Sequence, residues 1–168
     1  MRTVAVIGAG QMGSGITQTV AQFGMKVLLS DVDIALAEKA KANIEKALVR
    51  LVSREKLTPD EATAALARIT PVADYAPMVD ADLIIEAATE KEEIKHRIFA
   101  AAGKVLRADA IMASNTSSIP ITRMATSSPD PKRFIGLHFF NPVPVMGLIE
   151  VIPGLATAKD TTERTRAF

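Results

Sequence analysis

The chain has 168 residues, 48% apolar and 23% charged, with 20 basic side chains against 19 acidic and a net charge of +1. That length and mixture fit one folded domain with a short extension and exclude a disordered chain. The near-neutral balance argues against a nucleic-acid binder, and the absence of cysteine excludes disulfides and thiolate metal sites. The only histidines, His96 and His138, are 42 residues apart, so a zinc site would need carboxylates for most of its ligands, and no metal is expected. Only four apolar residues, Val4 to Ile7, precede Gly8, too few for a signal peptide, and no run approaches the ~18 apolar residues of a membrane span. A cytoplasmic protein without a membrane segment is expected.

Thr3 to Ile7 is a β-branched run of the kind buried on both faces of a parallel sheet. Gly8-Ala9-Gly10-Gln11-Met12-Gly13 follows as a glycine-rich turn, then Ile16, Val20 and Phe23 at helical spacing, stopped by Gly24. Lys26 to Asp31 is a second strand ending in a carboxylate. A long helix is predicted from about Ile34 to Arg54, with Leu36, Ala40, Ile44, Leu48 and Leu51 as its apolar stripe. Thr58-Pro59-Asp60-Glu61 opens another helix with a capping box, running to about Arg68. The two form a helical hairpin over 34–68, more than a minimal crossover requires.

Ile69 to Val72 and Asp82 to Glu86 read as strands. Thr89-Glu90-Lys91-Glu92 reads as a second capping box, with Ile94, Ile98, Ala101 and Val105 along the helix behind it and His96 on its solvent side. Ala110 to Ser114, Phe134 to His138 and Leu148 to Ile152 complete the strands. Strands alternating with helices predict an α/β fold, a doubly wound, mostly parallel sheet with an inserted helical hairpin.

The glycine loop carries chemistry because of where it sits. Between a strand and a helix, with an aspartate closing the next strand 23 residues after Gly8, it fits a dinucleotide fingerprint in a Rossmann-type sheet. Gly8 permits the tight turn, Gly10 leaves room for a pyrophosphate, and Gly13 lets the helix approach the strand. Gln11 and Met12 open that helix, whose free N–H groups face the phosphates. Asp31 can accept hydrogen bonds from the ribose hydroxyls and would repel a 2′-phosphate, which favours NAD over NADP. Ala87 and Ala88 either leave space for the cofactor body or serve helix-start packing.

His138 ends a predicted strand on the ligand-binding edge, and Asn141-Pro142-Val143-Pro144 behind it forms a rigid turn. Glu150 sits among four aliphatic residues, so an inward-facing carboxylate there needs a partner. Two readings stand on spacing alone. Glu150 fixes the His138 tautomer and leaves the other ring nitrogen for proton transfer, or Glu150 faces solvent and His138 is structural. Asn115 to Ser118 either cap the next turn or bring a hydroxyl towards a substrate oxygen.

The stretches VAVIGAGQMGSGI, IIEAATEKEEIK, ASNTSS, GLHFFNPVPVM and LIEVI, with the strand ending in Asp31, resemble the L-3-hydroxyacyl-CoA dehydrogenases and span nearly the whole chain in family order. The resemblance implies NAD-dependent oxidation of (S)-3-hydroxyacyl-CoA, with His138 as the acid-base group and Glu150 orienting it. It implies Ser117 near the substrate oxygen, Asn141 beside the histidine, Glu90 and Lys95 near the nicotinamide ribose, and Asn115 in the cofactor site. It also implies that the hairpin helps to bind coenzyme A, where Lys39, Lys46, Arg50 and Arg54 make a basic stripe and Arg54 and Arg50 are the leading substrate contacts. Members of this family continue into a helical domain that carries the dimer interface. On that basis residues 1–155 are expected to form the NAD-binding domain, and 156–168 the start of a further part in a homodimeric enzyme. Two alternatives are a dehydrogenase of a 3-hydroxy acid without coenzyme A and a non-catalytic NAD-binding module.

Overall fold

A computed structural model describes residues 1–168. Seven strands form one sheet in the order β3-β2-β1-β4-β5-β6-β7. They are β1 (Thr3–Ile7), β2 (Lys26–Ser30), β3 (Ile69–Pro71), β4 (Leu83–Glu86), β5 (Ile111–Ser114), β6 (Phe134–Phe139) and β7 (Ile149–Pro153). β1 to β6 pair in parallel, and β7 returns antiparallel to β6. The doubly wound, mostly parallel sheet expected from the alternation of elements is therefore present.

Helices cover both faces. One apolar cluster joins β-strand residues such as Val4, Val6, Leu29 and Ile85 to Ile16 and Val20 of α1 (Gln11–Gln22). The same cluster takes Ala37, Ala40, Ile44 and Leu48 from α2 (Ile34–Ser53) and Ala65 from α3 (Pro59–Ala67). The hairpin α2–α3 thus earns its place in the core as well as extending beyond a simple crossover. The opposite face packs Ala5, Ile84 and Met112 against Phe99 and Ala102 of α4 (Glu92–Ala102) and Ile121 and Met124 of α5 (Ile121–Met124). The last helix, α6 (Lys159–Arg166), buries Thr161 and Thr165, and the Thr161 hydroxyl donates to the Lys132 carbonyl. No helix is long and apolar enough to cross a membrane.

Several details differ from the sequence reading. Phe23 caps α1 and is 79% exposed, and Leu36 is 44% exposed while Ala37 takes the core position. The strong capping box is the one at Thr58, where both reciprocal bonds with Glu61 form. The second does not form, because α4 begins at Glu92 after an uncapped Lys91, and the Thr89 hydroxyl only accepts from the Lys91 N–H. α4 is also rotated from its expected face and stops at Ala102, short of Val105. Lys95, Phe99 and Ala102 are buried, whereas Ile94 is 37% exposed. His96 is half-buried rather than solvent-facing, and its ring nitrogens meet Ser127 and Glu92.

Candidate active site

The carboxyl ends of β1, β2, β4, β5 and β6 converge around the glycine loop. Gly8 has φ +107°, a conformation open to glycine and strained for other residues. A Cβ there would also stand 2.5 Å from the Ala88 Cα, so only glycine lets the loop pass this close to the Ala87–Ala88 backbone. A Cβ on Gly13 would lie 1.7 Å from the Gly8 carbonyl oxygen, which is why α1 can start so close to β1. At Gly10 nothing lies within 4 Å of that position, leaving space in front of the helix N-terminus. α1 has no acidic residue in its first turn to answer its positive end.

A cleft of about 250 Å³ opens there, lined by Gly10, Gln11 and Met12, by Ala87, Ala88 and Glu90 after β4, by Lys95 of α4, and by Asn115 after β5. Thr89 lines it too; the others are expected cofactor contacts brought into one concavity, whereas Gly8, Gly13 and Asp31 are not among its lining residues. Asp31 stands beside it, its carboxylate accepting the Ala9 N–H at 2.6 Å and the Val32 N–H at 2.7 Å. It therefore pins the loop as well as standing at the end of β2.

Beneath the cleft is a network that sequence reading missed. Glu86, the last residue of β4, is fully buried. One oxygen accepts the Ala88 N–H at 2.8 Å, and the other takes the Lys95 ammonium at 2.5 Å and the Ser114 hydroxyl at 3.1 Å. The spacing of nine residues between Glu86 and Lys95, from a strand end to one turn into the next helix, is the signal that could have revealed it. Glu90 is held by the Thr116 hydroxyl at 2.8 Å.

His138 and Glu150 face each other directly across the antiparallel β6–β7 ladder. The His138 Nδ1 lies 2.8 Å from Glu150 Oε2, so the two side chains are paired. Glu150 does not point into an apolar interior, however: its side chain is half exposed and that of His138 about one-fifth exposed, so the pair lies at the surface of the sheet edge. The Phe140 ring flanks the imidazole, with centroids 4.5 Å apart. With Nδ1 engaged by a carboxylate, Nε2 is the free nitrogen.

Two bonds tie this pair to the cleft. Asn115, which lines the cleft, accepts the Phe139 N–H at 2.8 Å through its side-chain oxygen. Gln11, on the opposite wall, donates to the Asn141 side chain at 3.1 Å. Asn141 thus meets the glycine loop, with no hydrogen bond to the neighbouring histidine. Ser117 is exposed in the loop after β5. Lys39, Lys46, Arg50 and Arg54 are all exposed on α2 and at its C-cap. No group of three or more His, Asp or Glu side chains is arranged to hold a metal ion.

A glycine loop of this geometry, on a doubly wound sheet with an aspartate after β2 and a histidine–carboxylate pair on β6 and β7, defines a nicotinamide-dinucleotide domain of dehydrogenase type. The family model for the NAD-binding domain of 3-hydroxyacyl-CoA dehydrogenase matches residues 3–168. The chain is 46% identical over its full length to a 3-hydroxybutyryl-CoA dehydrogenase of Bradyrhizobium diazoefficiens, of which it covers 57%. It is 44% identical over 98% of its length to a 3-hydroxyadipyl-CoA dehydrogenase of Escherichia coli, of which it covers 34%. The crystal structure of an (S)-3-hydroxybutyryl-CoA dehydrogenase from Ralstonia eutropha superposes with a TM-score of 0.97 at 43% identity, over 99% of this chain and 59% of that one. The chain belongs to the 3-hydroxyacyl-CoA dehydrogenase family and comprises its NAD-binding domain. It spans little more than half the length of those 3-hydroxybutyryl-CoA dehydrogenases. Its cofactor is NAD.

Proposed function

We propose that the protein containing this chain interconverts (S)-3-hydroxyacyl-CoA and 3-oxoacyl-CoA. The observation that carries the reading is the His138–Glu150 pair, tied by Asn115 and Gln11 to the walls of the dinucleotide cleft. NAD supplies the hydride acceptor. In oxidation, His138 Nε2 takes the proton of the 3-hydroxyl as the hydride leaves C3. In reduction, the imidazolium returns that proton to the alkoxide oxygen, and Glu150 holds the ring and balances its charge. Ser117 and Asn141 act on the substrate side of this centre, Ser117 at the oxygen and Asn141 between the glycine loop and the histidine turn.

The cofactor assignments follow the cleft. Gly10, Gln11 and Met12 receive the pyrophosphate on a loop shaped by Gly8 and Gly13, Asp31 receives the adenosine ribose, and Ala87 and Ala88 the body of the cofactor. Glu90, Lys95 and Asn115 serve the nicotinamide side. The exposed Arg50 and Arg54, continued by Lys39 and Lys46, meet the phosphates of coenzyme A.

Residues 1–155 act as the NAD-binding unit, and 156–168 lead into a further part that carries a homodimer interface. Exposed Val145, Met146, Leu148, Ile149 and Leu155 support such a covering surface. A cytoplasmic setting accords with the bacterial metabolic enzymes it resembles.

The test compares NADH oxidation with acetoacetyl-CoA and with acetoacetate. A coenzyme A enzyme consumes the thioester and not the free acid, and the Arg50→Ala, Arg54→Ala double variant raises KM for the thioester with little change in kcat. Equal use of acetoacetate would favour the alternative of a dehydrogenase acting without coenzyme A.

A further inference from the structure

Tyr75 is the single tyrosine of the chain, which has no tryptophan. It lies four residues beyond Pro71, the end of β3, and just before the 3-10 turn Ala76–Asp80. Pro71 pairs with Leu29, two residues short of Asp31, so the chain leaving β3 reaches Tyr75 at the carboxyl edge that carries the glycine loop and Asp31. The ring is half-buried against the apolar cluster that contains Ile7 and Ile84, on the sheet face away from α1.

Burial pushes the phenol above its ordinary value, and the carboxylates of Glu86 and Asp31 act in the same direction. Glu86 ends β4 and Asp31 directly follows β2, the two neighbours of β1, so they bracket the glycine loop. Neither accepts a hydrogen bond from the phenol. Asp31 is engaged by the Ala9 and Val32 N–H groups, and Glu86 by Ala88, Lys95 and Ser114.

The other aromatic rings lie elsewhere. Phe99 and Phe134 stack edge to face inside the core, Phe139 ends β6 and Phe140 after it flanks His138, and Phe23 caps α1. Phe168 packs beside the first core cluster at the chain end. On the β1–β2–β3 side of the carboxyl edge, Tyr75 is the one aromatic ring, and the exposed Val32 follows Asp31 there. The glycine loop meets a pyrophosphate and Asp31 a ribose, which leaves the purine base to be covered on that side.

We propose that Tyr75 is a specificity-determining residue of the cofactor site, its ring forming an aromatic wall against the adenine base beside the ribose held at Asp31. The inference rests on the assignment of the cleft to a dinucleotide. It explains why an aromatic side chain is kept half-buried just beyond the end of β3: the base covers its remaining exposed face when bound.

The chain carries its own probe, because all tyrosine emission comes from Tyr75. Binding of NADH, ADP-ribose and nicotinamide mononucleotide is measured by calorimetry and by that emission. ADP-ribose and NADH should change the Tyr75 emission, and nicotinamide mononucleotide should not. Tyr75→Ala and Tyr75→Leu should weaken ADP-ribose binding about tenfold, while Tyr75→Phe stays near the original affinity. Circular dichroism of each variant separates loss of binding from loss of fold. Unchanged emission at saturating ADP-ribose, or unchanged affinity in a folded Tyr75→Ala, overturns the proposal and leaves the dinucleotide site standing. Absence of any NADH binding to the original chain overturns both.

Discussion

The ammonium of Lys95 and the carboxylate of Glu86 meet at 2.5 Å with both side chains essentially shut off from solvent. A buried pair is costly to split, because each partner left alone is a desolvated charge. Lys95→Met should therefore lower the free energy of unfolding by about 3–5 kcal/mol. The double variant Lys95→Met, Glu86→Gln should recover part of that loss, since no unpaired charge remains. Urea unfolding of the original protein, Lys95→Met, Glu86→Gln and the double variant checks this, and a double variant as unstable as the sum of the single changes would speak against a coupled pair.

The two loop glycines should fail in different ways. Gly13→Ala places a methyl 1.7 Å from the Gly8 carbonyl oxygen, so the helix must shift and the protein should lose stability together with NADH binding. Gly10→Ala meets no protein atom within 4 Å and should fold normally, yet its methyl occupies the space proposed for the pyrophosphate. Thermal melts with NADH titrations distinguish them. Normal NADH affinity in Gly10→Ala would show that the phosphates sit elsewhere.

Stability should fall in acid in a way traceable to Asp82. Burial pushes this carboxyl up, but the N–H groups of Arg2 and Thr3 and the Arg107 guanidinium outweigh it and hold the group at about 2. A carboxyl lowered in the folded state stabilises above its ordinary value of 3.8, and that contribution disappears as pH falls from there to about 2. The urea midpoint should drop across this window, and Asp82→Asn should flatten that part of the profile. An Asp82→Asn profile as steep as the original would assign the acid loss to other groups.

Element type was legible in the sequence because a parallel sheet demands buried β-branched strands and punctuating glycines, and this chain supplies both from Thr3 to Gly24. The glycine loop was legible because backbone geometry, not side-chain contact, makes it work. The face of α4 was misread by one residue for a definite reason. Apolar periodicity counts lysine as solvent-facing, so it selects Ile94 and Ile98, whereas the Glu86 carboxylate pulls Lys95 inward and Phe99 follows. The His138–Glu150 pair could not be decided by spacing either, since twelve residues fit many geometries; the antiparallel register of β7 decides it. The residues themselves drew attention to Glu150 and to Asn115 to Ser118, and the family resemblance added the roles that spacing left open. Asn141 shows what resemblance leaves out, because its bond to Gln11 belongs to tertiary packing.

The most direct measurement is NADH-dependent reduction of acetoacetyl-CoA by the protein containing this chain, its His138→Ala variant and its Glu150→Gln variant, with NADH affinity measured in parallel. If Nε2 of His138 moves the proton and Glu150 orients the ring, His138→Ala should lose about a thousandfold in kcat and Glu150→Gln about a hundredfold, with NADH affinity unchanged in both. A His138→Ala variant that turns over at the original rate would contradict the assignment of the acid-base group.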